Sequence, residues 1–275
     1  MRAFLILGCC SALMLAACGT SGKKEEDAKI TAERPVETIY NEAADALDNS
    51  KYKTAAKLFA EVDRQHPYSQ WATQAQLMGA YALYKASSYD EASIALEQFI
   101  RLHPGHKDID YAYYLKGLCS YDQITDVTRD QDMTSDALEN FNTLLKLFPE
   151  SKYARDTKLK RDLTLDHLAG KHMDIGRYYL TRNYYTAAIK RFMVVVKDYQ
   201  TTTHVPEALH RLVEAYMHLG LIDEATRVAA VLGYNYPGSP WYEDSYKILN
   251  AEQRQKLLDD RSFTDKTIDA LLKPE

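Results

Sequence analysis

The amino-acid sequence predicts an all-α fold, a superhelical stack of about five helical hairpins. Three observations lead to this prediction. Five segments align without internal gaps, apolar residues recur in them at a fixed phase, and four of the five end in proline. In repeat architectures each unit buries its apolar face against the next one, which explains why the phase is kept. The segments span residues 52–67, 89–104, 134–149, 185–200 and 222–237.

Each segment has apolar residues three, seven and ten positions after its start. These positions share one face of an α-helix, so each segment predicts a helix with one buried face. The first of them is always alanine, which lets a neighbouring helix approach closely. Proline at the end stops the helix because it lacks a backbone donor, and only Gln200 departs from this pattern. In chain order the positions hold Ala55, Phe59 and Val62; Ala92, Leu96 and Phe99; Ala137, Phe141 and Leu144; Ala188, Phe192 and Val195; Ala225, Ala229 and Leu232.

A first helix precedes these segments and makes each of them the second helix of a hairpin. It is visible as Ile175-Gly176-x-x-Tyr179 before the fourth segment and as Leu212-Val213-x-x-Tyr216 before the fifth. Large, small and tyrosine positions on a first helix, followed by alanine, aromatic and proline positions on a second, resemble the tetratricopeptide repeat. The resemblance covers residues 36–248.

Unequal intervals between the segments locate the irregular parts of the stack. Residues 122–132 are polar and aperiodic and predict a loop in the third hairpin. One long helix is predicted for residues 152–182, with a hinge between residues 36–149 (repeats 1–3) and residues 150–250 (repeats 4–5 with a capping helix). Residues 251–275 form a polar C-terminal tail. Two interpretations of this tail remain open: a short helix that contacts a partner, or a frayed end.

The N-terminus has the pattern of a lipoprotein signal peptide. A positive charge at its start is followed by an uncharged, mostly apolar run that is too short to span a bilayer. The run ends in Leu15-Ala16-Ala17-Cys18, which resembles the lipobox that precedes an acylated cysteine. We therefore predict a signal peptide at residues 1–17 and lipidation of Cys18. The alternative is an ordinary secreted chain with Cys18 near the cleavage site by chance.

A lipidated Cys18 would fix the protein to a membrane through residues 18–35, a polar and charged tether. Gly19 stands where an aspartate would resemble the inner-membrane retention signal, so we predict the outer membrane, facing the periplasm. In that compartment Cys119 has no partner for an internal disulfide and is expected to be a buried core residue.

Composition and motifs argue against nucleic-acid binding and catalysis. The net charge is −5, which is opposite to that of a general nucleic-acid binder. The sequence contains no phosphate-binding glycine loop, nucleophile elbow or His-Glu-x-x-His pattern. His103 and His106 flank a hairpin end without a cysteine or carboxylate companion and make a poor metal site. We therefore expect a non-enzymatic protein without cofactor or metal.

The 21 tyrosines suggest a peptide-binding surface. Amphipathic aromatic rings supply contact area at low entropic cost and are frequent at interfaces. Tyr40, Tyr68, Trp71 and Tyr81 lie outside the repeat phase, so we predict that they line a groove for an extended client peptide. The alternative is that these rings pack between the hairpins.

Several motifs resemble the BamD/ComL family of lipoproteins, which belong to the outer-membrane β-barrel assembly machinery. Besides the lipobox, they are Ile39-Tyr40, the stretch from Phe99 to Leu118, Tyr178-Tyr179 and Lys197-Asp198-Tyr199. The loop after Tyr121 looks shorter than in the family, and the tail looks longer.

The resemblance implies partners and roles. The C-terminal repeats would bind the periplasmic domains of the barrel-forming subunit, with Arg191 pairing to an acidic residue there. The N-terminal repeats would receive unfolded outer-membrane proteins, with Tyr68 near the peptide pocket, and other assembly lipoproteins would bind as well. The alternative is another periplasmic repeat lipoprotein that serves as a scaffold for cell-wall or secretion machinery.

Overall fold

The computed structural model describes residues 34–259, with side chains up to residue 255. The signal peptide, Cys18, most of the tether and residues 260–275 lie outside the described residues, so what the sequence predicts for them stays a prediction. The described part consists of α-helices and contains no strand. The helices are α1 (Val36–Asp48), α2 (Tyr52–Gln65), α3 (Gln70–Lys85), α4 (Tyr89–Leu102), α5 (Ile109–Tyr121), α6 (Asp132–Leu147), α7 (Ala154–Thr181), α8 (Tyr185–Asp198), α9 (Val205–His218), α10 (Ile222–Asn235), α11 (Pro240–Ile248) and α12 (Ala251–Asp259).

Each helix from α1 to α10 packs against the next one along the chain, which produces five successive hairpins. The predicted all-α stack of hairpins is therefore confirmed. The alanine and the large apolar positions of all five segments are buried at 1 % exposure or less, because they lie on the one face that meets the neighbouring helices. The helix α11 packs on α9 and α10, where it covers the apolar end of the stack.

Four of the five hairpins turn through one residue in the left-handed region, two positions before the second helix. These residues are Ser50 and Ser87 (both φ 58°), Asn183 (φ 63°) and Gly220 (φ 74°). A left-handed residue reverses the chain tightly, so the two helices of a hairpin can pack from their first turn. In the third hairpin residues 122–131 take the place of this turn, as the aperiodic stretch predicts.

The helix α7 is 28 residues long, twice the length of its partner α8. Buried apolar side chains form two clusters between Ile39 and Cys119 and a third between Ala169 and Leu249. The first half of α7 therefore runs between the core of the N-terminal hairpins and that of the C-terminal hairpins, and Leu159 and Leu163 in this half are each 60 % exposed.

A buried polar contact fixes the end of the stack. His210 on α9 is 3 % exposed, and its Nδ1 lies 2.8 Å from the hydroxyl of Ser245 on α11, which is fully buried. The imidazole also packs on the ring of Trp241, with centroids 5.3 Å apart. Burying a polar pair is favourable only when both groups are satisfied, so this contact sets the position of α11.

Candidate functional site

Arg191 lies on α8 and is half-buried in the fourth hairpin. Among residues 34–259 its guanidinium makes no hydrogen bond or ion pair that the structure records. Its neighbour across the hairpin is His172 on α7. Burial lowers the pKa of the His172 imidazole, and the positive charge of Arg191 lowers it further. His172 is therefore uncharged at neutral pH and does not compete for an acidic ligand of Arg191.

Two other arginines of the same half are already paired. Arg177 on α7 donates to both carboxylate oxygens of Glu207 on α9 at 3.0 and 3.1 Å, and Arg211 donates to Glu214 at 2.7 Å. The first pair connects α7 with α9, and the second lies within α9. Because Arg191 lacks such a partner among residues 34–255, its guanidinium is available for a charge-assisted, bidentate contact with a carboxylate from outside.

Tyr40 and Trp71 are brought together by the packing of the first two hairpins. Tyr40 on α1 and Trp71 on α3 have ring centroids 4.8 Å apart, and Tyr40 also meets Phe59 edge-on at 5.4 Å. Both rings are half-buried, and burial raises the pKa of the Tyr40 hydroxyl. They form one aromatic pair where α1, α2 and α3 meet.

Tyr81 and Tyr68 lie apart from this pair. Tyr81 packs in the next core cluster, where its ring centroid is 6.5 Å from that of Tyr111 on α5. Tyr68 is in the turn between α2 and α3 and is fully exposed at 101 %. The packing does not place the four predicted aromatic residues in one groove. Peptide binding by any of them stays a prediction.

A cavity of about 200 Å³ opens between α2, α3 and α4, and sequence reasoning missed it. Its walls include small side chains such as Ala56, Ala60 and Ala80, while Asp63, Gln76 and Gln98 supply its polar groups. Gln76 donates from Nε2 to the Asp63 carboxylate at 2.7 Å, and its Oε1 accepts from Nε2 of His103 at 2.8 Å. The only signal in the sequence is the surplus of alanines beside the repeat positions.

Metal-binding clusters and membrane-spanning helices are both absent from the described residues. No group of three or more histidine, cysteine, aspartate or glutamate side chains in residues 34–259 is placed to hold a metal ion. In the same residues, no helix combines the length and the apolar character needed to cross a bilayer.

Comparison with known proteins gives consistent matches. The family profile described as "YfiO: Outer membrane lipoprotein" matches residues 32–232. The chain is 47 % identical to the outer membrane protein assembly factor BamD of Rickettsia prowazekii over 92 % of this chain and 97 % of that protein. It is 47 % identical to BamD of Caulobacter vibrioides over 84 % of this chain and 76 % of the relative. For BamD of Neisseria meningitidis serogroup A the identity is 38 %, over 86 % and 92 % of the two chains.

Among solved structures, the chain is similar to TTC0263, a thermophilic tetratricopeptide-repeat protein of Thermus thermophilus. The identity is 17 % and the TM-score 0.38, with 82 % of this chain and 100 % of that chain covered. At this TM-score the similarity adds nothing to the fold described above.

Proposed function

The chain belongs to the BamD family of outer membrane protein assembly factors, and on that premise we propose that it is a non-enzymatic scaffold that binds the barrel-forming subunit and client proteins. The observation that carries the proposal is the guanidinium of Arg191 in the C-terminal half, which has no hydrogen-bond or ion-pair partner in the described part of the chain. A carboxylate of the barrel-forming subunit's periplasmic domains is its proposed ligand. Acylation of Cys18 would hold the stack at the outer membrane, facing the periplasm.

The lipid anchor would increase the occupancy of the contact between Arg191 and its carboxylate ligand without enlarging the interface. A tether of residues 18–35 keeps the stack within a few nanometres of any partner embedded in the same membrane. Because both proteins then share a small volume, the effective concentration of one for the other is high, and a contact of modest intrinsic affinity suffices. Other assembly lipoproteins that are anchored in the same membrane would have the same high effective concentration for this stack.

Client binding is proposed for the N-terminal hairpins. The cavity between α2, α3 and α4 has alanine side chains in its walls and carries the Asp63 carboxylate. It therefore fits one apolar side chain of an extended peptide, and the backbone amide groups of that peptide would lie near Asp63. Fully exposed Tyr68 would supply an aromatic contact for the same peptide. We expect Ala60→Leu, which narrows the cavity, to weaken binding of a labelled C-terminal strand peptide of a barrel protein. Lys57→Leu on the same helix adds the same side chain outside the cavity, and equal loss in both variants would contradict the proposal.

Arg191→Glu tests the contact with the barrel-forming subunit. Reversing one charge of a desolvated pair costs about 2–5 kcal/mol, so co-purification with the subunit's periplasmic domains should fall at least tenfold. Lys190→Glu is the matched control, since it makes the same charge change at the adjacent, exposed position. Both variants should keep the helical far-UV circular dichroism of the parent chain. If Arg191→Glu binds as the parent does, or unfolds, the proposed role of Arg191 is wrong.

A further inference from the structure

A second cavity, of about 430 Å³, lies beside the first half of α7. Its apolar walls are Ile124 and Val127 from the loop 122–131, Leu163 from α7 and the ring of Tyr121. His167 of α7 and His204 of the turn between α8 and α9 are its polar side chains, together with Asp166. The cavity is therefore shaped by the end of α5, the loop 122–131, the first half of α7 and the turn between α8 and α9.

The loop wall is held in place without any ligand. Lys171 of α7 donates from Nζ to the carbonyl oxygens of Thr128 and Arg129, at 2.7 and 3.2 Å. Inside the loop the Asp126 carboxylate accepts the backbone N–H of Thr128 at 2.8 Å. Because these contacts fix the loop beforehand, little conformational entropy remains to be lost when a ligand enters.

One side chain that lines the cavity has a ring nitrogen without a partner in the described part of the chain. The Nε2 atom of His167 is buried and makes no hydrogen bond with any described residue. The groups next to it are satisfied, since Asp166 accepts from the backbone N–H and the hydroxyl of Thr203 at 3.0 and 2.7 Å and faces Nε2 of His204 at 3.5 Å. A buried ring nitrogen without a partner is unfavourable in the free protein, and a ligand would remove this cost by supplying the hydrogen bond after the ring turns this nitrogen towards the cavity.

The helix face outside the cavity is apolar and basic. Leu159 and Leu163 are each 60 % exposed, one turn apart on α7. Arg155 lies one turn before Leu159 and Lys158 lies directly before it. Neither makes a hydrogen bond or ion pair with residues 34–255, whereas the nearby Lys160 is paired with Asp156 at 2.8 Å. In a chain of net charge −5, this exposed and unpaired positive charge beside exposed leucines favours an acidic ligand.

We propose that this cavity and the adjoining face of α7 form a docking site for an acidic segment of another polypeptide. The segment inserts one apolar side chain beside Leu163 and forms the missing hydrogen bond with His167. It places a carboxylate near Arg155 and Lys158. Arg155 lies about 12 Å along the helix from Leu163, so an extended segment carries its acidic residue about three to four positions from the apolar one. The site shares no residue with the proposed Arg191 contact and does not depend on it.

The test is a differential selection from a displayed library of random twelve-residue peptides. The parent chain without its lipid is the positive target, and Leu163→Ser is the negative target. Leu102→Ser is the matched control, because Leu102 is also half-exposed, at 52 %, and lies at the end of α4. We expect enriched peptides that combine acidic residues with an apolar residue three to four positions away. They should bind Leu163→Ser at least tenfold more weakly and Leu102→Ser unchanged, and replacing their acidic residues with lysine should abolish binding.

His167→Phe separates binding from a structural role. It keeps a ring of similar shape and removes the unpartnered nitrogen, so the midpoint of urea unfolding should stay unchanged or rise, while the selected peptides bind at least fivefold more weakly. A lower unfolding midpoint together with unchanged binding would show that the imidazole serves the fold. Enrichment of peptides that do not distinguish Leu163→Ser from the parent chain overturns the proposal. So does a concentration-dependent dimer that Leu163→Ser dissolves, because the ligand is then a second copy of this chain.

Discussion

Adding a single methyl group at Gly176 should disrupt the fourth hairpin. A Cβ at this position of α7 would lie 2.4 Å from Cε1 and 2.8 Å from Cδ1 of the Phe192 ring on α8. Phe192 is completely buried, so the ring cannot turn away without displacing other core side chains. Overpacking of this kind costs about 1–3 kcal/mol. Alanine is also a better helix former than glycine, by about 0.5–1 kcal/mol, so Gly176→Ala should lower the free energy of unfolding by up to about 2 kcal/mol.

Gly170→Ala is the matched control on the same helix. Here the added Cβ would meet Nε2 of His204 at 3.3 Å and Cγ1 of Val127 at 3.4 Å, which are ends of side chains that can shift by a few tenths of an ångström. The gain in helix propensity is the same as at Gly176, so Gly170→Ala should be neutral or slightly stabilising. The difference between the two variants then isolates the contact with Phe192.

Urea unfolding followed by far-UV circular dichroism measures both variants. A second comparison adds Gly176→Ala to Phe192→Leu, in which the ring atoms Cε1 and Cζ are gone. In the Phe192→Leu chain, Gly176→Ala should lower the free energy of unfolding by at least about 1 kcal/mol less than it does in the parent chain. The reason is that substitutions at two residues in contact do not have additive effects. If Gly176→Ala is as stable as Gly170→Ala, or if its effect is the same with and without the Phe192 ring, the packing argument is refuted.

Two further predictions concern titratable groups. Burial alone would raise the pKa of Glu214, but hydrogen bonds from His210 and Arg211 lower it to about 2, from an ordinary value of 4.5. A lowered pKa stabilises the folded state above the unfolded value, so stability on the order of 1–2 kcal/mol should be lost as the pH falls from about 4.5 towards 2. Over the same pH range the Glu214→Gln variant should lose less free energy of unfolding than the parent chain. The same pH dependence in both proteins would contradict this prediction. Burial also raises the pKa of the Cys119 thiol to about 12. A disulfide reagent at pH 8 should therefore react at least 100-fold more slowly with the folded chain than with the chain unfolded in urea. A fast reaction with the folded chain would show that the thiol is accessible.

The repeat core could be predicted from the sequence because it depends on local periodicity. Ala188, Phe192 and Val195 occupy one helix face wherever the helix packs, and their burial follows from spacing alone. The turns were harder to foresee. Ser50 and Ser87 take left-handed conformations that serine rarely adopts, and the sequence shows glycine at the equivalent place only at Gly220.

The candidate sites could be predicted only in part, because they depend on contacts between distant segments. Spacing does not reveal that Arg177 is paired with Glu207 while Arg191 has no recorded partner in the described residues. In the same way, Tyr40 and Trp71 meet because α1 and α3 both pack on α2, whereas Tyr68 is left in an exposed turn. Which groups remain unpaired is decided by tertiary packing.

The packing around α7 also determines how the two halves of the stack are joined. In a repeat protein the stability of the array is approximately a sum over interfaces between neighbours. Near the middle of α7, Leu163 borders the cavity of about 430 Å³, and Leu168 borders another, of about 440 Å³, that faces α6 and Tyr199. Where an open groove borders a helix, that part of the helix surface makes no dispersion contacts with other side chains. A partner that fills these grooves would therefore add contacts at this joint between the two halves of the stack. Arg191 follows it on α8, and the exposed face with Leu159 and Leu163 lies directly on it.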